Sequence, residues 1–144
     1  MDRTETAVRT FEQEFSCSQS VFSAFADPAE LGREAALRLA SGFGGGLART
    51  GDTCGAVTGA IMALGLRHCG IPAGDPLAKE RAYPPVQEFL ARFKARHGSI
   101  VCREVLGCDL GTPEGLQRAR EQGLTKSRCP AFVRTAAEIL EELL

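Results

Sequence analysis

The stretch "GGGLARTGDTCGAVTGA", Gly44 to Ala60, decides the reading of this chain. A glycine-rich loop runs straight into a helix-like segment, which spends a cysteine, Cys54, almost at its start. A phosphate loop would end in Gly-Lys-Ser or Gly-Lys-Thr, and this one ends Gly-Asp-Thr-Cys. A dinucleotide fingerprint would follow a strand, and the preceding segment has helical periodicity. Close packing accounts for the glycines better. Gly55, Gly59 and Ala63 recur every fourth residue, with Ala56 and Ala60 beside them, so one flank of the helix is bare. Each glycine costs about 1 kcal/mol of helix propensity, which a closely approaching neighbour helix would offset.

Outward from that helix the periodicity stays helical. Val8, Phe11, Phe15, Phe22 and Phe25 form one stripe, with a gap at Ser18, predicting a helix over about residues 4–25. Asp27-Pro28 predicts the start of a second, with Leu31, Ala35, Leu39 and Phe43 facing inward and Gly42 to Gly46 ending it. Asp52 is the expected N-cap of the third, which runs to about His68. Cys69 to Pro76 reads as a loop. Leu77 to His97 reads as helix, broken or kinked at Pro84-Pro85, with Phe89, Leu90 and Phe93 as its apolar face. Ser99 is placed to cap a short helix through Leu106, and Thr112-Pro113 to open one through Gln122. Pro130 in a first turn is expected to start the last, striped by Phe132, Val133, Ala136, Ala137 and Leu140. No β-branched alternation of period two appears. The expected fold is all-α: a single domain over residues 1–144, a bundle of six or seven helices with no sheet.

Composition narrows the function. With 44% hydrophobic and 24% charged residues, the chain can bury a core without staples. A formal net charge of -1 without a basic stripe argues against nucleic acid as partner. No apolar run is long enough to cross a bilayer, and "MDRTETAVRTFEQEF" lacks the features of a signal peptide, so a cytoplasmic protein is expected. In a reducing compartment its six cysteines (Cys17, Cys54, Cys69, Cys102, Cys108 and Cys129) read as packing groups, metal ligands or redox thiols rather than permanent disulfides.

Two of them have suggestive addresses. With Asp52 as N-cap, Cys54 falls at the second helical position, where unpaired N–H groups favour thiolate, so its pKa is expected below the reference of about 8.5. The Asp52 carboxylate opposes that shift, and Arg49 offsets it if the loop folds back. Pro130 at a first helical position would make Cys129 an N-cap. Cys17 is placed mid-helix beside the phenylalanine stripe, and Cys102 early in its short helix. No CxxC pair exists, so long stretches of chain separate these cysteines and only the tertiary fold could unite them. His68 and His97, near helix C-termini, read as structural caps. The acidic "EILEEL" and the Arg92, Lys94, Arg96 cluster read as solvated faces.

The pattern resembles the C_GCAxxG_C_C family of small cysteine-bearing proteins, whose redox label is inferred from their shared cysteines. The resemblance covers "CSQSVFSAF", "GDTCGAVTGAIMALGL", "SIVCREVLGCDL" and "CPAFVRTAAEILEELL", and the central motif stands as Cys54-Gly55-Ala56-Val57-Thr58-Gly59. It implies Cys17, Cys54, Cys102 and Cys129 as the shared set, leaving Cys69 and Cys108 as packing thiols. A thiol–disulfide redox protein follows, in which Cys54 or Cys17 attacks an oxidised partner and a second cysteine resolves the mixed disulfide. Its counterpart would be a redox partner protein or a small-molecule thiol or disulfide, and no cofactor is required. One alternative is a zinc or iron–sulfur centre on the same four cysteines. Another is a structural helical protein whose cysteines only pack.

Overall fold

A computed structural model describes residues 2–69, 72 and 74–144. Among them the only strand-like feature is an isolated antiparallel bridge, Thr53 to Val101, so the architecture is all-α. Eight right-handed helices are present among the described residues, one more than the upper expectation, because the predicted 4–25 helix is two. Helix α1 spans Arg3–Glu12, with Asp2 accepting from the Glu5 N–H at 2.8 Å. Glu14 then takes a left-handed φ of 73° and the chain restarts as α2, Cys17–Phe25. Ser16 supplies the restart. Its hydroxyl accepts from the Gln19 N–H while the Gln19 side chain accepts from the Ser16 N–H, a reciprocal capping box. The phenylalanine stripe runs through the break because both helices face one core. Cys17 is therefore the first residue of a helix, not a mid-helix residue.

Helix α3 covers Arg33–Leu39. Asp27 caps only a single turn, accepting from the Ala29 N–H, and Gly32 resets the chain before the helix proper. The expected inner face is displaced by one residue. Ala36 and Ala40 are fully buried, whereas Leu39 is 59% exposed. After a 3-10 turn at Ser41–Phe43, the residues Gly45, Gly46, Leu47, Ala48 and Arg49 all have positive φ, a left-handed turn in which three members carry side chains. Such a conformation costs L-residues roughly 1–2 kcal/mol each.

Helix α4 spans Gly55–His68 and α5 spans Ala78–His97. Of the predicted loop between them, Gly70, Ile71 and Ala73 lie outside the described residues. The expected break at Pro84-Pro85 does not occur, and α5 is continuous through both prolines. The carbonyls deprived of an N–H partner belong to the exposed residues Glu80 and Arg81, where water can take its place. Helix α6 is Cys102–Leu106, with Val101 rather than Ser99 as its N-cap; the Ser99 hydroxyl instead accepts from the Val101 N–H and donates to Glu104. Helix α7, Pro113–Gln122, is capped by Thr112 as predicted. Helix α8, Leu124–Leu143, starts at Gly123, so Pro130 lies inside it and Cys129 is not a cap.

Helix α8 packs on α1, α2, α4 and α5, and the most extensive helix contact joins α2 to α4. That contact is the close approach the glycines predict. A side chain at Gly59 would meet the Ser18 carbonyl oxygen at 2.7 Å, and one at Gly55 would meet the Ser18 nitrogen at 3.0 Å. Phe89, Phe93, Leu64, Leu106 and Leu140 fill the interior. The exposed arginines of α5 reach α8, Arg92 to Glu142 at 2.6 Å and Arg96 to Glu138 at 3.1 Å, so the two solvated faces hold one another. Among the described residues His97 caps no helix end: its ring meets Phe93 and Phe132 and bonds to Thr135 Oγ1 at 2.8 Å. His68 does face a helix C-terminus, that of α8, through the Leu143 carbonyl at 3.2 Å.

Candidate functional site

Three chain turns deliver three cysteines to one place. The capping box at Ser16 sets Cys17 at the start of α2. The Thr53–Val101 bridge aligns the other two. Cys54 N–H donates to the Ile100 carbonyl at 2.7 Å and Cys102 N–H donates to the Asp52 carbonyl at 2.5 Å. These two bonds flank the bridged pair, so Cys54 and Cys102 share the face opposite Thr53 and Val101. The extended backbone at 52–54 also moves the start of α4, whose N-cap is Cys54 itself and not Asp52. The left-handed turn supports this from below, since Asp52 N–H donates to the Gly46 carbonyl. A side chain at Gly46 would collide with Cys102 Cβ and the Asp52 backbone.

Cys129 arrives from the interior of α8 and closes the set. All four cysteines line one cavity of about 640 Å³ with Phe11, Phe15, Val105, Leu106 and Phe132. All are free thiols and all are buried. Cys69 and Cys108 do not line it, and Cys108 donates to the Gly115 carbonyl at 3.0 Å, a packing role.

The thiols differ in acidity. Cys17 and Cys129 lie beside one another, and each sets the other's ionisation. Accepting the Cys17 S–H pulls Cys129 below the ordinary thiol range, against the effect of its burial. That same bond, then burial and the nearby sulfurs, pushes Cys17 well up. The two titrate as a unit that gives up its first proton readily and its second with difficulty. Cys54 departs from the sequence expectation. Burial pushes it up to about 11, although the Ala56 and Val57 amides pull the other way. The helix-terminal field is present, and desolvation outweighs it. Cys102 is pushed up to about 12, by burial first and then by Cys54, Cys129, Asp109 and Cys108.

The four sulfurs share a cavity without meeting at a point. Among the described residues no three His, Cys, Asp or Glu groups are arranged to hold a metal ion, so the zinc or iron–sulfur alternative has no assembled ligand set. The sequence reading overlooked Glu12 and Glu14, which precede α2, and Lys126 on α8 at the cavity mouth; Arg49, on the left-handed turn, it named only as a counter-charge to Asp52.

No helix among the described residues is long and apolar enough to cross a membrane. Neither a curated protein nor a solved structure matches the chain. Residues 15–143, which hold all four cavity cysteines, match the family described as "Putative redox-active protein (C_GCAxxG_C_C)", and the chain belongs to that family.

Proposed function

We propose that this protein carries out thiol–disulfide exchange with Cys17 and Cys129 as its working dithiol. The observation that carries the reading is the shared cavity lined by Cys17, Cys129, Cys54 and Cys102, in which Cys17 and Cys129 set each other's acidity. Thiolate is the attacking species, and Cys129 is the thiol whose ionisation its neighbour favours. In the forward direction the Cys129 thiolate attacks one sulfur of a disulfide RSSR. A Cys129–S–S–R bond forms, and RS⁻ departs and takes the Cys17 proton. The Cys17 thiolate then attacks the Cys129 sulfur, and the second RS⁻ leaves with a proton from water. Two cysteine thiols are oxidised by two electrons in all, and RSSR becomes two RSH. Cys54 and Cys102, with their raised pKa values, act as reserve thiols that keep the surroundings apolar.

The test is differential alkylation with mass spectrometry on reduced protein treated with a limiting disulfide. A Cys17–Cys129 crosslinked peptide is expected, and Cys17→Ser should accumulate a mixed disulfide on Cys129. An intramolecular disulfide that still forms at the wild-type rate in Cys129→Ser would overturn the assignment.

A further inference from the structure

We infer that the oxidised counterpart is a small zwitterionic disulfide of the amino-acid type, bound at the cavity mouth between Arg49 and Glu12, and not the disulfide of a folded protein. The inference rests on the exchange reading above and adds its substrate class.

Size comes first. The residues carrying the four sulfurs are only 3–9% exposed. Attack on a disulfide requires the incoming S–S bond to line up with the attacking sulfur, so the substrate must enter the cavity. A volume of about 640 Å³ lies within the range of small-molecule sites. A small molecule enters such a cavity whole, whereas a disulfide fixed in the surface of a folded protein brings its surrounding backbone with it.

Charge comes second. The walls are thiols and mainly apolar side chains, with Ser16, Gln19 and Thr125 among them, while the mouth carries two carboxylates and two cations. Lys126 and Glu14 satisfy each other at 3.5 Å. Arg49 and Glu12 have no ion-pair partner among the described residues. The Arg49 stem lies against the bare backbone of Gly45, where a Cβ would come within 2.8 Å of Arg49 Cγ. A guanidinium and a carboxylate left unpaired at the lip of an apolar cavity suit a ligand with a carboxylate and an ammonium group flanking its S–S bond. With cystine, the S–S bond breaks as the Cys129–sulfur bond forms and one cysteine leaves. Closure of the Cys17–Cys129 disulfide then releases the second, and both depart protonated.

The experiment compares oxidation rates of the reduced, full-length protein by cystine, cystamine, dithiodipropionate and hydroxyethyl disulfide, each normalised to its rate with free dithiothreitol. A folded protein with an accessible disulfide is the fifth oxidant. Cystine should exceed hydroxyethyl disulfide by roughly tenfold or more, as charge-assisted bonds at the mouth require. Arg49→Gln and Glu12→Gln, on separate elements, should each lower the cystine rate and leave the hydroxyethyl disulfide rate unchanged. Equal normalised rates for all small disulfides would overturn the inference and leave the exchange reading standing. So would a singly charged type matching cystine, or the protein disulfide reacting as fast. If no disulfide oxidises the protein, the exchange reading itself fails.

Discussion

Replacing Gly59 by alanine isolates the contact on which the site is built. A methyl group there would lie 2.7 Å from the Ser18 carbonyl oxygen and 3.2 Å from Ser18 Cα. Both are backbone atoms, so neither can swing aside. At Gly65, on the same helix, an added methyl meets nothing within 4 Å. Alanine gains about 1 kcal/mol in helix propensity at either position. Overpacking costs typically about 1–3 kcal/mol, and a rigid backbone neighbour places Gly59 in the upper half of that range. Gly59→Ala should therefore lose about 1–2 kcal/mol net, while Gly65→Ala gains up to about 1 kcal/mol. Urea unfolding of both variants reads the difference directly, because the propensity gain cancels between them. Equal stabilities, with unchanged m-values, would refute the claim that α2 and α4 meet backbone to backbone.

Further outcomes follow from single residues. At pH 8 a Cys54 thiol with a pKa of about 11 should react with iodoacetamide on the order of a hundredfold more slowly than in the unfolded chain. Cys129 should be the first cavity thiol alkylated as pH rises, and Cys17→Ala, by removing the S–H donor, should move its profile to higher pH. Burial, then Arg96, lowers the pKa of His97, so below pH 6.5 the unfolded chain binds a proton that the folded one resists. Stability should thus fall as pH drops through the unfolded-state value, and His97→Asn should flatten that dependence in a pH series of urea titrations. Ser16→Ala removes the capping box and should cost about 1 kcal/mol by the same method.

The all-α class and the close α2–α4 packing were legible because each is written in local periodicity, including the Gly55, Gly59 pair. The four cavity cysteines were legible through their resemblance to a family pattern, while their placement was not. Cys17 reads as mid-helix until Glu14 turns left-handed, and a reciprocal cap at Ser16 and Gln19 is easily hidden inside a continuous aromatic stripe. Pro130 marks a helix start by local rules, but Gly123 and the packing of α8 extend that helix backward through it. The acidity of Cys54 failed for a different reason. Helix-terminal amides can be anticipated from sequence, whereas the depth at which a sulfur is buried is set by every helix around it. The bridge between Thr53 and Val101 pairs segments far apart in the chain and has no local signature at all.

The contact between Cys17 and Cys129 reaches from the second helix to the last. A covalent bond across it would tie off a loop of more than a hundred residues, and loop-closure entropy alone then disfavours the unfolded chain by about 5 kcal/mol. Folding and oxidation become two legs of one thermodynamic cycle. Whatever stability the crosslink confers on the fold, the fold returns as a greater resistance of that crosslink to reduction. A destabilising change anywhere in the bundle that loosens this contact would then make the crosslink easier to reduce, even where it touches no cysteine.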